Sequence, residues 1–260
     1  MVNSIDSVIN YLPKVIDKVN KEASLSVALN ANAGATGTWE TQKLNVKRST
    51  KMTLELIEGQ EGQAELPEMV AEFQRTRVVP ERDAVVFSKA YANASAGTTA
   101  TPATLTSSTV KAAIDLGIKT LNENEAPKAG RGLYVSCEVY DYMKNSNFFT
   151  YNLNAGEGEN RLDTRVAGYD GMQVIEVPKS RFNTEVTLDA SNGFTLTGTD
   201  INFLIISQGA VQVVDKITKG EIVPSSMNSD SFEDTYKYLT YYDAITFDNQ
   251  TSAIYAHAKA

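Results

Sequence analysis

The chain has 260 residues, enough to bury a substantial core in one large or two small domains. Its 42% hydrophobic and 22% charged residues make an ordinary globular composition, which excludes wholesale disorder. A formal net charge of −8 excludes a dedicated nucleic-acid grip, which needs a concentrated basic surface.

The first residues, MVNSIDSVINYLPK, lack the basic start and unbroken apolar run of a signal peptide. The longest apolar stretches, such as NFLII, fall far short of a membrane span. Together these predict a soluble intracellular product, or a particle assembled inside a cell. Ser4 and Asp6 offer N-caps for a helical pattern in which Val8, Leu12, Val15, Ile16 and Val19 recur at three- and four-residue spacing. Pro13 begins or kinks that helix. Small residues then dominate as far as Trp39.

The run ETQKLNVKRSTKMTLELIEG has roughly strand periodicity through Leu44, Val46, Met52, Leu54 and Leu56. Its charges are segregated. Lys43, Lys47, Arg48 and Lys51 come first, then Glu55, Glu58, Glu61 and Glu65. Read from these residues alone it is either a solvated hairpin with weak cross-strand ion pairs or a loop that reaches across another molecule.

LPEMVAEFQRTRVVPERDAVVFSKAYANA predicts a helix over roughly Pro67 to Thr76, a break at Val79–Pro80, and a second helix ending near Ala94. Glu72, Arg75, Arg77, Glu81, Arg82 and Asp83 alternate in sign, the pattern of a solvated face. Residues 95–108 read as a loop. Ser107 or Ser108 then caps a helix with one apolar stripe, Val110, Ala113, Ile114, Gly117, Ile118 and Leu121, ended by Pro127 and Gly130. A strand and a short helix capped by Ser136 follow.

Cys137 is the only cysteine, so no intrachain disulfide forms. At a helix start its thiol is either acidified or, with no histidine nearby in sequence, simply structural.

Gly156 and Gly158 in NLNAGEGENR lack the flanking strand, helix and third glycine of a phosphate site, so a surface loop is expected. A glycine turn leads into a strand over Met172–Val177, and Asn192–Gly193 joins VTLDA to FTLTG as a tight hairpin. The last sixty residues give an apolar strand, a Lys-rich turn, a polar break, a Tyr-rich strand and a short final strand.

Catalytic devices are absent from these patterns. The one histidine, His257, lies in a strand-like tail, and no His/Cys spacing makes a zinc site. Glu233–Asp234 reads as a solvated polar turn, and Asp163 and Asp170 lack the oxygen density of a calcium loop. No enzyme, cofactor or metal is expected. A carboxylate-dependent enzyme would have only generic acidic residues behind it.

Three blocks carry a resemblance: EFQRTRVVPERDAVVFSKAYANA, GYDGMQVIEVPKSRF, and the C-terminal order closing on YYDAITFDNQTSAIYAHAKA. They resemble the major capsid proteins of tailed bacteriophages, which share the Hong Kong 97 shell fold. The resemblance spans almost the whole chain, densest at residues 66–95, 165–182 and 201–260.

It implies an α+β fold with an N-terminal arm (1–23), an extended β-hairpin loop (24–62) and a peripheral domain (63–131) whose spine helix covers about 108–125. An axial domain with a mixed sheet (132–212), a second peripheral part (213–251) and a C-terminal strand returning to the axial domain (252–260) complete it. The implied function is a head protein assembling as pentamers and hexamers into an icosahedral shell around double-stranded DNA. An acidic wall can do this, because containment requires no phosphate contacts.

Portal, scaffolding and decoration proteins are the implied partners, with no membrane involved. The place is the virion, assembled in the bacterial cytoplasm. The alternative on the same fold is an encapsulin-type compartment housing an enzyme.

Implied interface residues are Trp39, Lys43, Lys47, Arg48, Lys51, Glu55, Glu58, Arg75, Arg77, Glu81 and Arg82. Implied capsomer-centre residues are Asn154, Gly156, Glu157, Gly158, Glu159 and Arg161. Deleting residues 40–56 is expected, on this reading, to leave a folded but assembly-deficient subunit. No Lys–Asn–Glu cross-linking trio can be matched, and the chain lacks the length for the N-terminal scaffolding segment of many relatives.

Overall fold

The structure is a computed structural model, and it describes residues 18–20, 39–55, 66–146, 166, 168–189, 193–229 and 233–260. The strands are β1 (Lys18–Asn20), β2 (Trp39–Thr41), β3 (Val46–Glu55), β4 (Gly132–Ser136), β5 (Gly168–Tyr169) and β6 (Met172–Val177). They continue with β7 (Val186–Asp189), β8 (Gly193–Leu196), β9 (Ile201–Ile206), β10 (Gln212–Val223), β11 (Glu233–Ile245) and β12 (Ile254–Ala258). The helices are α1 (Leu66–Phe73), α2 (Val79–Ala92), α3 (Val110–Glu123) and α4 (Cys137–Asn145). Residues 1–68 with 213–247 form one compact unit, and residues 69–212 with 248–260 form the other.

In the first unit, β1 pairs antiparallel with β2, and a three-stranded sheet runs β10-β11-β3. Strand β3 pairs with β11 along its whole length, from Val46 opposite Tyr242 to Glu55 opposite Glu233. Leu44, Ile245 and Phe247 form a small buried cluster with Val214 and Tyr241 against it. Asp243 is buried, and its Oδ2 accepts from the Asn45 backbone N–H at 3.0 Å and from Asn45 Nδ2 at 3.3 Å.

These facts correct several expectations. Lys18–Asn20 is strand, not the end of a helix, and the rest of that pattern lies outside the described residues. The Lys-rich turn is the middle of β10, because alternation along VVDKITKGEIV outweighs its polar composition. Glu233–Asp234 opens β11, where Asp234 Oδ1 accepts from the Ser225 N–H at 2.6 Å. Deleting 40–56 would remove β3 together with buried Leu44 and Val46, so it would damage the fold of this unit as well as any assembly.

The second unit is built on a mixed five-stranded sheet of order β12-β9-β4-β6-β5. Only the β4–β6 pair is parallel, while β12–β9, β4–β9 and β5–β6 are antiparallel. Helices α3 and α4 pack on one face through Val110, Ile114, Ile118, Leu121, Val139 and Met143, meeting Leu133, Val135, Phe203, Ile205 and Tyr255. On the other face Ala90, Phe87 and Tyr91 of α2 meet Leu204, Ala256, Ile175 and Phe182. Covered on both faces, β9 is apolar at every position except Asn202, whose buried amide is hydrogen-bonded to Ala103 O and Ala258 O. At Gly117 an added Cβ would lie 2.8 Å from Tyr255 Cδ1, which is how closely α3 rests on β12.

Helix starts and stops carry further corrections. The Ser136 hydroxyl does accept from the Val139 N–H and caps α4. The α3 N-cap, however, is Thr109, whose hydroxyl makes no capping bond but accepts from the Thr106 N–H at 2.9 Å, and not Ser107 or Ser108. That helix stops at Asn124, before Pro127, and the next residue, Glu125, has φ 56°.

No break occurs at Val79–Pro80. Gln74–Val78 is a π-helical turn joining α1 to α2, and the Val79 N–H reaches the Gln74 carbonyl. The widened turn directly precedes Pro80, the second residue of α2, and its five-residue hydrogen-bond step is how the continuous helix takes in a residue that has no N–H to donate. In the β7–β8 hairpin Asp189 faces Gly193, whose φ is 85°. Gly193 is thus the first strand residue and not a member of the turn.

Candidate functional site

In the first unit the basic run on β3 divides between two faces, because successive strand side chains alternate. Lys47 and Lys51 share one face and are exposed, while half-buried Arg48 lies on the other, opposite Thr240. Lys43 is exposed in the segment before β3.

Lys51 stands directly opposite Lys237 of β11, and Lys47 stands opposite Tyr241. Like charges in such a pair repel, so the Lys51–Lys237 register adds nothing to the pairing of the two strands. Trp39 pairs with Asn20 and Glu55 with Glu233, both in sheet register. Glu58 and the Asn154, Gly156, Glu157, Gly158, Glu159 and Arg161 group lie outside the described residues, as does Asp163.

In the second unit Arg75 and Arg77 project from the π-turn, both exposed. Arg75 makes a two-pronged pair with Glu72, Nε to Oε2 at 3.0 Å and Nη2 to Oε1 at 2.8 Å, and that bond raises its pKa. Glu81 and Arg82 follow in α2, half-buried. Arg181 reaches Asp83 at 2.8 Å.

Lys237 and Arg181 were not singled out in the sequence. Reading YKYLTYY as a strand would have placed Lys237 outward, but nothing local pairs it with Lys51.

The chemistry-bearing side chains are turned to structural tasks. Cys137 is half-buried, and burial followed by the neighbouring Glu176 pushes its thiol pKa up, so it is not an activated thiolate. His257 is buried in β12 and stacked on Phe203, with ring centroids 5.1 Å apart. Its Nδ1 lies 3.1 Å from Asn202 Nδ2, which also reaches Ala103 O at 2.8 Å and Ala258 O at 3.1 Å. Among the described residues no group of three His, Cys, Asp or Glu side chains could hold a metal, and no helix is long and apolar enough to cross a membrane.

Burial lowers the His257 pKa, which couples stability to pH. Above the ordinary pKa of about 6.5 neither state binds the proton. As pH falls below it, the unfolded chain binds a proton that the native ring does not. Stability then drops by up to about 1.4 kcal/mol per pH unit until the folded pKa is reached.

Urea midpoints of the wild type should therefore fall between pH 7 and 5.5, and His257→Gln should flatten that interval. An unchanged slope in the variant would assign the loss to other groups. Glu138, held below its ordinary value by the hydrogen bond from Lys259, adds its own loss only once pH falls through the ordinary carboxylate range toward its lowered pKa.

No family model and no curated protein matches the sequence. Solved structures do match in fold. The "asymmetric unit of bacteriophage PhiM1 mature capsid" aligns with TM-score 0.66 at 14% identity, over 94% of this chain and 81% of that one. The "capsid structure of the Cyanophage P-SCSP1u" aligns with TM-score 0.62 at 13% identity, over 94% and 82%. A "Mycobacterium phage Che8" structure aligns with TM-score 0.59 at 13% identity, over 92% and 83%. The chain thus has the α+β Hong Kong 97-like capsid fold along nearly its full length.

Proposed function

We propose that this chain is the major capsid protein of a tailed bacteriophage, assembling as pentamers and hexamers into an icosahedral shell that encloses double-stranded DNA. The observation that carries the reading is the fold likeness to several phage capsid structures over more than nine-tenths of the chain. In this reading residues 1–23 are the arm and 24–62 the extended loop. Residues 63–131 and 213–251 form the peripheral domain, 132–212 and 252–260 the axial domain, and Asn154 to Arg161 line the capsomer centre.

The charged groups of β3 and of the π-turn serve contacts between subunits. Each contact is weak alone, and repetition around a closed shell makes them collectively strong. Portal, scaffolding and decoration proteins are the partners, and the product is the virion shell assembled in the host cytoplasm.

The test is electron microscopy with light scattering on the full chain, expressed alone and with the neighbouring scaffolding and portal genes. Shells or capsomers that take up DNA with the packaging machinery support the proposal. Shells filled with a protein cargo would replace it with the compartment reading. A monomer under every condition would overturn it.

A further inference from the structure

Of the six large apolar side chains left exposed among the described residues, Val213, Ile217 and Ile222 lie on one strand, β10. That strand is twelve residues long and sits at the end of the order β10-β11-β3, so among the described residues only one of its edges is hydrogen-bonded. A long edge with outward aliphatic side chains is a template for another strand. Alternation puts Val213, Asp215, Ile217, Lys219 and Glu221 on one face.

We propose that β10 joins antiparallel to β10 of a second copy of this chain, around a two-fold axis at Ile217. Self-pairing about an axis normal to the sheet requires a residue to face one on its own side of the strand, so the centre falls on a residue. With Ile217 at the centre, Ile217 faces its counterpart, and Asp215 faces Lys219 of the second copy twice over, by symmetry.

Neighbouring registers fail on charge. A centre at 215 sets Asp215 against itself, 216 sets Lys216 against itself, 218 sets Asp215 against Glu221, and 219 sets Lys219 against itself. A centre at 220 brings Lys219 to Glu221 but runs into Pro224, losing the Val213–Lys216 end of the strand. Only the register at Ile217 keeps residues 212 to 222 paired with opposite charges facing.

The lysines would ordinarily keep an edge apart; here Lys219, 3.0 Å from Glu221 of its own strand, faces Asp215 of the second copy as well, and Lys216, held over the Tyr241 ring, faces neutral Thr218. The contact joins two subunits symmetrically, whether or not larger shells form.

The test uses the full chain in a Cys137→Ser background. Central residues of such a pair have Cα atoms about 4.5–5.5 Å apart, within disulfide range. Ile217→Cys should therefore form a covalent dimer under mild oxidation. Val213→Cys, whose copies would stand about 27 Å apart along the strands, should not.

Separately, Asp215→Lys or Lys219→Asp alone should weaken association by about tenfold or more, and the double exchange should restore it. Equal cross-linking at 213 and 217, or none at 217, would overturn the register, as would a double exchange no better than either single variant. Because the readout is a dimer and not a shell, a failure of the capsid reading leaves this result interpretable.

Discussion

Replacing Phe203 with alanine is expected to remove about 3–5 kcal/mol of stability, with Phe203→Leu losing distinctly less. Phe203 is fully buried at the middle of β9, between helices α3 and α4 and the sheet. Its ring lies 5.9 Å from that of Tyr255 and 5.1 Å from that of His257, so truncation opens a cavity that two further rings border. Both partners belong to β12, which is held between β9 and the backbone of residues 98–103. Chemical unfolding of the purified subunit checks the value. A loss under about 1 kcal/mol would mean that the site collapses around the smaller side chain.

Arg131→Ala should cost about 3 kcal/mol, and Arg131→Lys should recover little of it. The guanidinium is buried between the end of α3 and the start of β4. Nε donates to Pro127 O at 2.8 Å, Nη1 to Asn122 Oδ1 at 2.9 Å and Nη2 to Ala126 O at 2.7 Å. One planar fork thus closes the loop from 122 to 131, and burial, despite the charge of Asp170, lowers its pKa. Alanine leaves three acceptors without donors, and an ammonium cannot span all three. Equal stability of the lysine variant would show that charge, not geometry, matters at this position.

Local signals were the legible part of this fold. The stripe Val110, Ile114, Ile118 and Leu121 is a helix face buried as expected, and Ser136 caps the next helix through one short-range bond. The apolar run of β9 reads as a doubly covered strand because its neighbours cover both faces.

What escaped depends on partners distant in sequence. Nothing within residues 46–55 shows that their partner is 233–242, so β3 looked like half of a local hairpin. The π-turn escaped for a different reason: proline after valine ordinarily ends a helix, and a five-residue hydrogen-bond step has no compositional mark.

The interface residues were legible as a charge run but not as surfaces. Counting by twos separates Lys47 and Lys51 from Arg48, whereas identifying Lys237 as the second half of the basic face requires the register.

The arrangement of the mixed sheet also bears on where this subunit can deform. Strand β9 has hydrogen-bonded neighbours on both edges and helices over both faces, so its amides open only when the whole unit does. In deuterium exchange it should be the slowest-labelled segment, with β4 beside it. The two-residue strand β5 and the detached β7–β8 hairpin should label early. Within this unit the middle behaves as a stiff plate with pliant margins, and any adjustment of subunit shape has to be taken up at those margins.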